Sequence, residues 1–464
     1  PEWAKGMELD KQGNLKSSAK NIEAIMSNAP FMQGVRYNDF THRVYVLNAL
    51  PWDTHSVLPR PWSDTDAAGL RQYLEIRLGI VCKEKIKDGF AVSTYTRHYH
   101  PIRDYFNGLP AWDNVPRLDR LIIDYLGAED NELTRTMTRI HFVAAVARVF
   151  EPGCKYDYVL TFKGPENCGK SSFVKIMGDP WNGESFYTFE GKEAMEQIQG
   201  KWLVELPELA ALKNLKINET AKAFITRQHD SFRGAYKENS ETHARQCVFF
   251  ATTNEDQFLK GSTGNRRFWI IEIKPELRKS ELTKKVWLIA NRAQIWAEAL
   301  HRYRTEAKAT AHDLYFNLPE HLAALAKEQQ EEANINNDPD LLAQVKVFVE
   351  IPIPNNYAQM TLKARQDYYK FREEGLSPLV SRMEFCIKQF VHEYLGVPLS
   401  NNKEYKETAN KFKSGLLKKL DGWRKDRKKF FENYDKQWSY VREGEPPQID
   451  SARIIDDDED DEDL

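Results

Sequence analysis

The chain has 464 residues, of which 41% are apolar and 29% are charged, and its formal net charge is −3. This length exceeds one compact core, so we expect two or three domains. No apolar run approaches the roughly 18 residues that span a bilayer, and no signal segment opens the chain, which argues against a membrane protein. The five cysteines are scattered and form no C-x-x-C pair, which argues against a disulfide framework or a zinc site and favours a reducing cytoplasm.

The spacing of apolar residues changes within the first 310 residues. Residues 1–130 predict a mixed α/β N-terminal domain, in which 64–78 have helical spacing, and helical spacing returns over 131–150. Short apolar runs then alternate with helical stretches, at 158–162, 202–206, 247–254 and 268–273. This alternation is typical of parallel strands covered by helices on both faces, so we predict an α/β fold with a parallel-sheet core over 131–310.

The last third of the chain is polar, and in it a basic segment is followed by an acidic one. Residues 311–360 are predicted to be a linker, and residues 361–443 a small basic domain. A winged-helix domain with a basic face for DNA is one interpretation of that domain, and a helical domain whose lysines only keep it soluble is the other. Residues 444–464 predict a disordered acidic tail, and one hypothesis is that it folds back on the basic domain as a DNA mimic.

A glycine-rich motif, GPENCGKS at 164–171, satisfies the P-loop pattern G-x-x-x-x-G-K-[ST] between a predicted strand and a predicted helix. Glycine lets the backbone curl so that several N–H groups point at phosphate oxygens. In this pattern Lys170 reaches the β- and γ-phosphates, and the Ser171 hydroxyl binds Mg²⁺. We therefore predict a site for ATP and Mg²⁺ formed by Gly164, Pro165, Glu166, Asn167, Cys168, Gly169, Lys170, Ser171 and Ser172.

Polar side chains end the next two predicted strands. Glu205 ends one strand, and Glu208 follows three residues later. We assign Glu205 to the magnesium shell and Glu208 to the attacking water, although these roles could be shared or reversed. Asn254 ends the following strand, where an amide can sense the γ-phosphate and the water without adding charge. The alternative is that Asn254 simply caps a turn.

Two arginines, Arg266 and Arg267, lie on a glycine-bounded loop before the last predicted strand. An arginine finger places a fork-shaped cation on the transition-state charge of a neighbouring subunit's nucleotide, and Arg266 is our first candidate. Such a finger completes the site only in an oligomer, typically a head-to-tail ring. The alternative is a pair of surface arginines in ion pairs.

At these residues the sequence resembles the virulence-associated protein E family of phages, prophages and pathogenicity islands. The matching segments are 100–118, 147–173, 200–209, 230–254, 261–273 and 294–300. That family is similar in turn to the superfamily 3 helicases, AAA+-related hexameric motors. The resemblance implies an AAA+-like core that assembles into a ring, hexameric in such motors, and acts on single-stranded or forked DNA.

The resemblance also implies ATP-driven unwinding during replication of a mobile element, alongside other replication proteins in a bacterial cytoplasm.

In motors of this kind a β-hairpin projects into the central channel and grips DNA. The equivalent segment here is 230–245, and its residues fit that role because a turn-prone stretch separates two extended arms. The candidate DNA contacts are Arg233, Tyr236, Lys237 and His243. An ordinary solvent-exposed hairpin is the alternative, and Arg233 and Arg245 could instead serve the nucleotide interface.

Two other functions fit a P-loop. A regulatory ATPase, acting as an initiator, loader or scaffold, would hydrolyse ATP without unwinding DNA. A small-molecule kinase is disfavoured, because a kinase has no reason for a sensor Asn followed by paired arginines. The leading prediction is therefore an ATP-dependent DNA helicase.

Overall fold

A computed structural model describes residues 2–183, 186–206, 215–232, 241–259, 264–279, 285–310, 312–334, 338–371, 378–414 and 420–444. The chain forms two compact units. The first comprises Pro1–Glu208, Thr220–Asn254 and Trp269–Ala323, and the second comprises Leu209–Glu219, Glu255–Phe268 and Ala324–Leu464. In the described part of the chain, no helix has both the length and the apolar composition to cross a bilayer.

The described helices, in chain order, are α1 (Ala19–Asn28), α2 (Asp64–Leu78), α3 (Lys83–Tyr95), α4 (Pro101–Asn107), α5 (Leu121–Leu126), α6 (Glu132–Phe150), α7 (Lys170–Gly178), α8 (Gly191–Ile198), α9 (Leu215–Thr226), α10 (Lys285–Arg302), α11 (His312–Tyr315), α12 (Glu320–Glu332), α13 (Pro339–Glu350), α14 (Leu362–Phe371), α15 (Ile387–Gln389) and α16 (Asn402–Ser414).

The described strands are β1 (Val35–Asn38), β2 (Arg43–Val46), β3 (Arg60–Pro61), β4 (His98–Tyr99), β5 (Val159–Lys163), β6 (Asn182–Gly183), β7 (Leu203–Leu206), β8 (His229–Phe232), β9 (Glu241–Ala244), β10 (Val248–Thr253), β11 (Phe268–Glu272), β12 (Ile353–Pro354), β13 (Leu379–Val380), β14 (Glu384–Phe385), β15 (Trp423–Phe431) and β16 (Asp435–Arg442).

The N-terminal hundred residues of the first unit form a four-stranded sheet with the order β3-β2-β1-β4. Strands β1 and β2 are antiparallel, whereas β1 and β4 are parallel. Helix α2 has the predicted bounds because both of its ends are capped. Ser63 and Asp66 form a capping box at the N-terminus, and Gly79 takes a left-handed conformation at the C-terminus.

A five-stranded sheet with the order β11-β5-β10-β7-β6 forms the centre of the first unit. Strands β5, β10, β7 and β6 are mutually parallel. Helix α6 packs against this sheet, and its buried Arg148 donates a hydrogen bond to the carbonyl of Cys247 at 2.8 Å. The predicted mixed α/β fold with a parallel sheet is therefore confirmed.

The second unit contains a three-stranded antiparallel sheet with the order β14-β16-β15. Its core is aromatic and includes Phe348, Phe385, Phe390 and Phe412, all of them buried. The basic stretch at 423–429 is part of strand β15, which forms a hairpin with β16.

Two segments of the second half of the chain differ from their predicted structure. Residues 311–360, predicted to be a linker, contain α11, α12 and α13. Helical spacing at 381–395 predicts one helix, but Glu384 and Phe385 pair as β14 with Val441 and Tyr440. Because that pairing extends the backbone, the helix starts only at α15 and continues as a π-helical turn over Phe390–Tyr394. The predicted domain boundaries stay predictions.

Candidate functional site

The glycine-rich loop at 164–171 joins the buried strand β5 to helix α7. Gly164 lies where a Cβ atom would come within 2.6 Å of the carbonyl oxygen of Ile273, so a larger residue does not fit. Its N–H donates to the carbonyl of Thr253 at 3.1 Å, which ties the loop to the end of β10. Gly169 precedes α7 with φ +86°, a left-handed conformation that favours glycine. Lack of space therefore requires glycine at 164, whereas the left-handed backbone conformation favours glycine at 169.

Lys170, the first residue of α7, turns its side chain back into the loop. Its Nζ lies 2.7 Å from the carbonyl oxygen of Gly164 and 2.6 Å from that of Pro165. The Sγ atom of Cys168 is 3.6 Å away. The side chain is buried, so its ammonium group is held at the centre of the curled backbone by carbonyl dipoles. A cation in this position can exchange carbonyl contacts for contacts with an anion that enters the loop.

Glu205 lies on β7 beside the start of α7. Its Oε1 accepts hydrogen bonds from the Ser171 hydroxyl at 2.6 Å and the Thr252 hydroxyl at 2.8 Å. The residue is only 7% exposed. A buried carboxylate whose described partners are hydroxyl groups has no compensating cation among those partners. The arrangement therefore favours a cation at this edge of the sheet.

Asn254 reaches the same loop from the third strand. Strands β5 and β10 are parallel, with Lys163 opposite Thr253, so the residues after both strands emerge together. The Asn254 side-chain amide donates to Oε1 of Glu166 at 2.8 Å. The structure thus brings together the loop, Glu205 and Asn254 at the carboxyl edge of the sheet, where open α/β sheets bind their ligands.

Residues 106–335 match the family model of the virulence-associated protein E-like domain. This part of the chain is a virulence-associated protein E-like domain. The predicted family resemblance is therefore confirmed over these residues, which include the loop, Glu205 and Asn254. No curated protein matches the chain.

Solved structures of the NrS-1 C-terminal region are also similar to the chain. One apo structure, covering residues 305–718 of that protein, is 12% identical, with a TM-score of 0.42 over 88% of this chain and 96% of the other. An A-form apo structure of the same region is 12% identical, with a TM-score of 0.41 over the same shares of both chains.

The virulence-associated protein E-like domain also contains the two predicted finger arginines. They form one turn of 3₁₀-helix, Asn265–Arg267, after Gly264. Arg266 is exposed, and Nη1 of Arg267 donates to the carbonyl of Gly264 at 3.2 Å. Both belong to the second unit, whereas the loop belongs to the first. Their finger role stays a prediction, as does the water-activating role of Glu208, which lies outside the described residues.

The predicted DNA-binding hairpin is described only at its base. Strands β8 and β9 pair antiparallel, as the two extended arms predict, while Arg233, Tyr236 and Lys237 lie outside the described residues. His243 is stacked on the ring of His42, with 3.8 Å between ring centroids. Its DNA contact stays a prediction.

Arg245, considered above for the nucleotide interface, lies at the foot of this hairpin. It forms an ion pair with Asp230, and both side chains are almost fully buried. Its guanidinium also lies over the ring of Phe224, 4.5 Å from the centroid. The observed contacts of Arg245 are therefore those of a structural core residue.

Sequence reasoning missed two residues that shape the site. Thr252 supplies the second hydroxyl to Glu205, and its place two residues before Asn254 was an available signal. Arg278 donates to the carbonyls of Cys168 and Leu126, so it fastens the glycine-rich loop to α5. No local pattern marks Arg278, because its contact with the loop depends on how distant parts of the chain fold together.

Proposed function

We propose that the chain binds ATP with Mg²⁺ at the glycine-rich loop and hydrolyses it. The observation that carries this proposal is that a buried lysine lies inside the loop and a buried carboxylate lies beside the loop. Lys170 offers a positive charge to the β- and γ-phosphates, and the backbone N–H groups at the start of α7 offer further donors. The resulting core is of the P-loop, AAA+-like type.

The donor set beside the loop fits magnesium. Mg²⁺ prefers oxygen ligands and is commonly held by one or two carboxylates together with substrate phosphates and water. Ser171 and Glu205 offer a hydroxyl and a carboxylate that already lie 2.6 Å apart. When bound, Mg²⁺ would neutralise charge on the phosphates and on Glu205. Thr252 would keep the carboxylate oriented through its hydrogen bond.

The remaining roles complete a hydrolysis site. Glu208 orients or deprotonates the attacking water, with Glu205 as the other candidate for that role. Asn254 hydrogen-bonds the γ-phosphate and the water, for which its amide has to leave Glu166. Arg266, or Arg267 beside it, stabilises the transition state on a neighbouring subunit's nucleotide. This last role requires a ring, which we propose to be hexameric.

We propose that this ATPase is a superfamily 3-type DNA helicase motor for replication of a phage or another mobile element. The family assignment over residues 106–335 supports this proposal. The hairpin β8–β9 would carry the DNA-gripping residues Arg233, Tyr236 and Lys237, with His243 at its base. In the second unit, a three-stranded sheet packed with α15 and α16 is compatible with a winged-helix domain.

Nucleotide binding, hydrolysis and strand displacement would test the proposal separately. We expect Lys170→Ala to lose hydrolysis, because the phosphates lose their main cation. Lys175→Ala is the matched control, since Lys175 is an exposed residue on the same helix. Failure of the wild-type chain to bind ATP·Mg would overturn the proposal. DNA-stimulated hydrolysis without unwinding of tailed substrates of either polarity would replace the helicase with a regulatory ATPase.

A further inference from the structure

The hairpin formed by β15 and β16 has two faces of different character. Directly opposite residues of an antiparallel pair share a face, so the pairs Lys428–Trp438 and Phe430–Lys436 lie on the same face. A register shift between Lys425 and Lys428 brings Lys425 to this face as well. We name the surface formed by Lys425, Lys428, Phe430, Lys436 and Trp438 the lysine–tryptophan face.

The lysines of this face cluster around an aromatic ring. The Nζ atom of Lys425 lies 4.0 Å from the ring centroid of Trp438, and that of Lys428 lies 5.5 Å from it. In a regular strand, two residues three positions apart would point to opposite faces. The β-bulge is therefore what places both ammonium groups beside one indole.

Two cations on the opposite face of the hairpin, Arg424 and Lys429, are paired with carboxylates. Arg424 lies 3.5 Å from both Asp426 and Glu443, and Lys429 lies 2.8 Å from Glu384. By contrast, within the ranges that the structure describes, no carboxylate lies at ion-pair distance from the three lysines of the lysine–tryptophan face. Arg424 and Lys429 thus have carboxylate partners, whereas Lys425, Lys428 and Lys436 have none within the described ranges.

The aromatic residues of the lysine–tryptophan face are exposed. Phe430 is 75% exposed and Trp438 is 42% exposed, whereas Trp423 and Tyr440, on the same two strands, are buried in the core. By register Trp423 and Tyr440 lie on this same face but farther from the turn, so core packing explains them and leaves Phe430 and Trp438, nearer the turn, unexplained. Exposed aromatic side chains among unpaired cations are the combination that proteins use to stack bases while holding phosphates.

We propose that the lysine–tryptophan face binds single-stranded nucleic acid. The three lysines contact phosphates, while Trp438 and Phe430 stack on bases. A duplex is disfavoured because its base faces are already stacked on one another, which would leave both exposed rings without a partner. The site is separate from the glycine-rich loop and does not depend on the proposed ATPase activity.

Titrating the full-length chain, without nucleotide, into a labelled oligothymidylate tests the site. An oligonucleotide of about 20 nucleotides exceeds the roughly 4–16 that one small binding domain covers. We expect Trp438→Ala to weaken binding about 5- to 150-fold, the range for loss of one base stack, and Trp438→Phe to retain most of the affinity. Fluorescence anisotropy at several salt concentrations gives the affinities.

A charge-matched pair of variants separates this face from general electrostatics. Lys425→Gln/Lys428→Gln should lower the slope of log affinity against log salt by about 1.4, because each phosphate contact to a single strand contributes about 0.7. Arg424→Gln/Lys429→Gln removes the same charge from the opposite face and should change that slope far less. Equal effects of the two double variants would overturn the proposal.

Two further outcomes would also refute it. One is unchanged affinity in Trp438→Ala and in Lys425→Gln/Lys428→Gln. The other is a duplex of equal length that binds as tightly as the single strand and loses as much affinity in Trp438→Ala. Circular dichroism and thermal unfolding would confirm that each variant is folded, which the exposed positions of these residues favour. Nucleic acid bound elsewhere on the chain contributes equally to all variants, so the comparison between faces is unaffected.

Discussion

Two buried glutamates, one in each unit, have opposite surroundings. Glu393 in the second unit is 1% exposed and forms an ion pair with Arg365 at 2.7 Å. Glu205 in the first unit is also buried, but its described partners are the hydroxyls of Ser171 and Thr252. A carboxylate neutralised by its own protein is a structural element. One surrounded by hydroxyls is suited to a cation from outside, so the comparison separates a core residue from a candidate site.

Removing the cation beside Glu393 should have the largest effect. We expect Arg365→Met to lower the free energy of unfolding by about 3–5 kcal/mol, because it leaves a buried charge uncompensated. Urea denaturation would measure the change. The double variant Arg365→Met/Glu393→Gln should recover part of the loss. A single variant as stable as wild type would break the comparison, since Glu393 would then not depend on its partner.

Substitution of Glu205 should change the stabilisation by bound ligand rather than the stability of the ligand-free chain. A non-hydrolysable ATP analogue with Mg²⁺, at about 100 times its dissociation constant, should stabilise the chain by about 2.7 kcal/mol. We expect Glu205→Gln to lose most of this stabilisation. The unfolding free energy without ligand should change by about 1 kcal/mol or less, because the amide oxygen of glutamine can still accept the hydroxyl hydrogen bonds. Thermal unfolding with and without Mg²⁺ is the measurement. A large loss of stability without ligand would make Glu205 a structural residue like Glu393.

His141 is a buried ionisable group of a third kind, because it is uncharged in the folded state. Burial lowers the pKa of its imidazole to about 3, and Nδ1 lies 2.7 Å from the Tyr156 hydroxyl. The folded state therefore keeps it neutral, whereas the unfolded chain protonates near pH 6.5. Stability is fully present above that pH and should fall by up to about 1.4 kcal/mol per unit as the pH drops towards 3. His141→Gln should flatten this part of the profile in denaturation experiments between pH 4 and 7, and an unchanged slope would contradict the assignment.

Deletion of the acidic tail should have the smallest effect. It tests whether lysines without a carboxylate partner in the described residues attract acidic groups of the same chain. Residues 456–463 lie outside the described residues and carry eight acidic side chains. If they compete with nucleic acid for unpaired lysines, deleting 456–464 should tighten DNA binding several-fold at low salt and much less at high salt. Anisotropy titrations at two salt concentrations would show this. Equal affinity with and without the tail would discard the hypothesis.

Local patterns predicted much of the first unit. The bounds of α2 follow from a capping box and a terminal glycine, both of which are visible in the sequence. The buried strands at the centre of the sheet are short apolar runs of the expected length. The glycine-rich loop, Glu205 and Asn254 could be placed at one edge because parallel strands share a direction.

Long-range packing set the limits of prediction. Arg278 holds the loop from more than a hundred residues away, and no spacing rule identifies such a contact. Strand β14 replaces the start of a predicted helix because its pairing with β16 outweighs local helical spacing. Likewise, the β-bulge that gathers Lys425 and Lys428 beside Trp438 depends on the register of β15 against β16, which the basic composition alone does not specify.

The stacked rings of His42 and His243 join the N-terminal sheet to the foot of hairpin β8–β9. The same turn of the N-terminal sheet is held by Gln199, whose side chain donates to the carbonyl of Thr41 at 2.7 Å and accepts from Arg43 at 3.1 Å. A mechanical load applied to the hairpin would therefore pass into the first hundred residues as well as into the central sheet. The N-terminal region therefore supports the base of the hairpin through the His42–His243 stack.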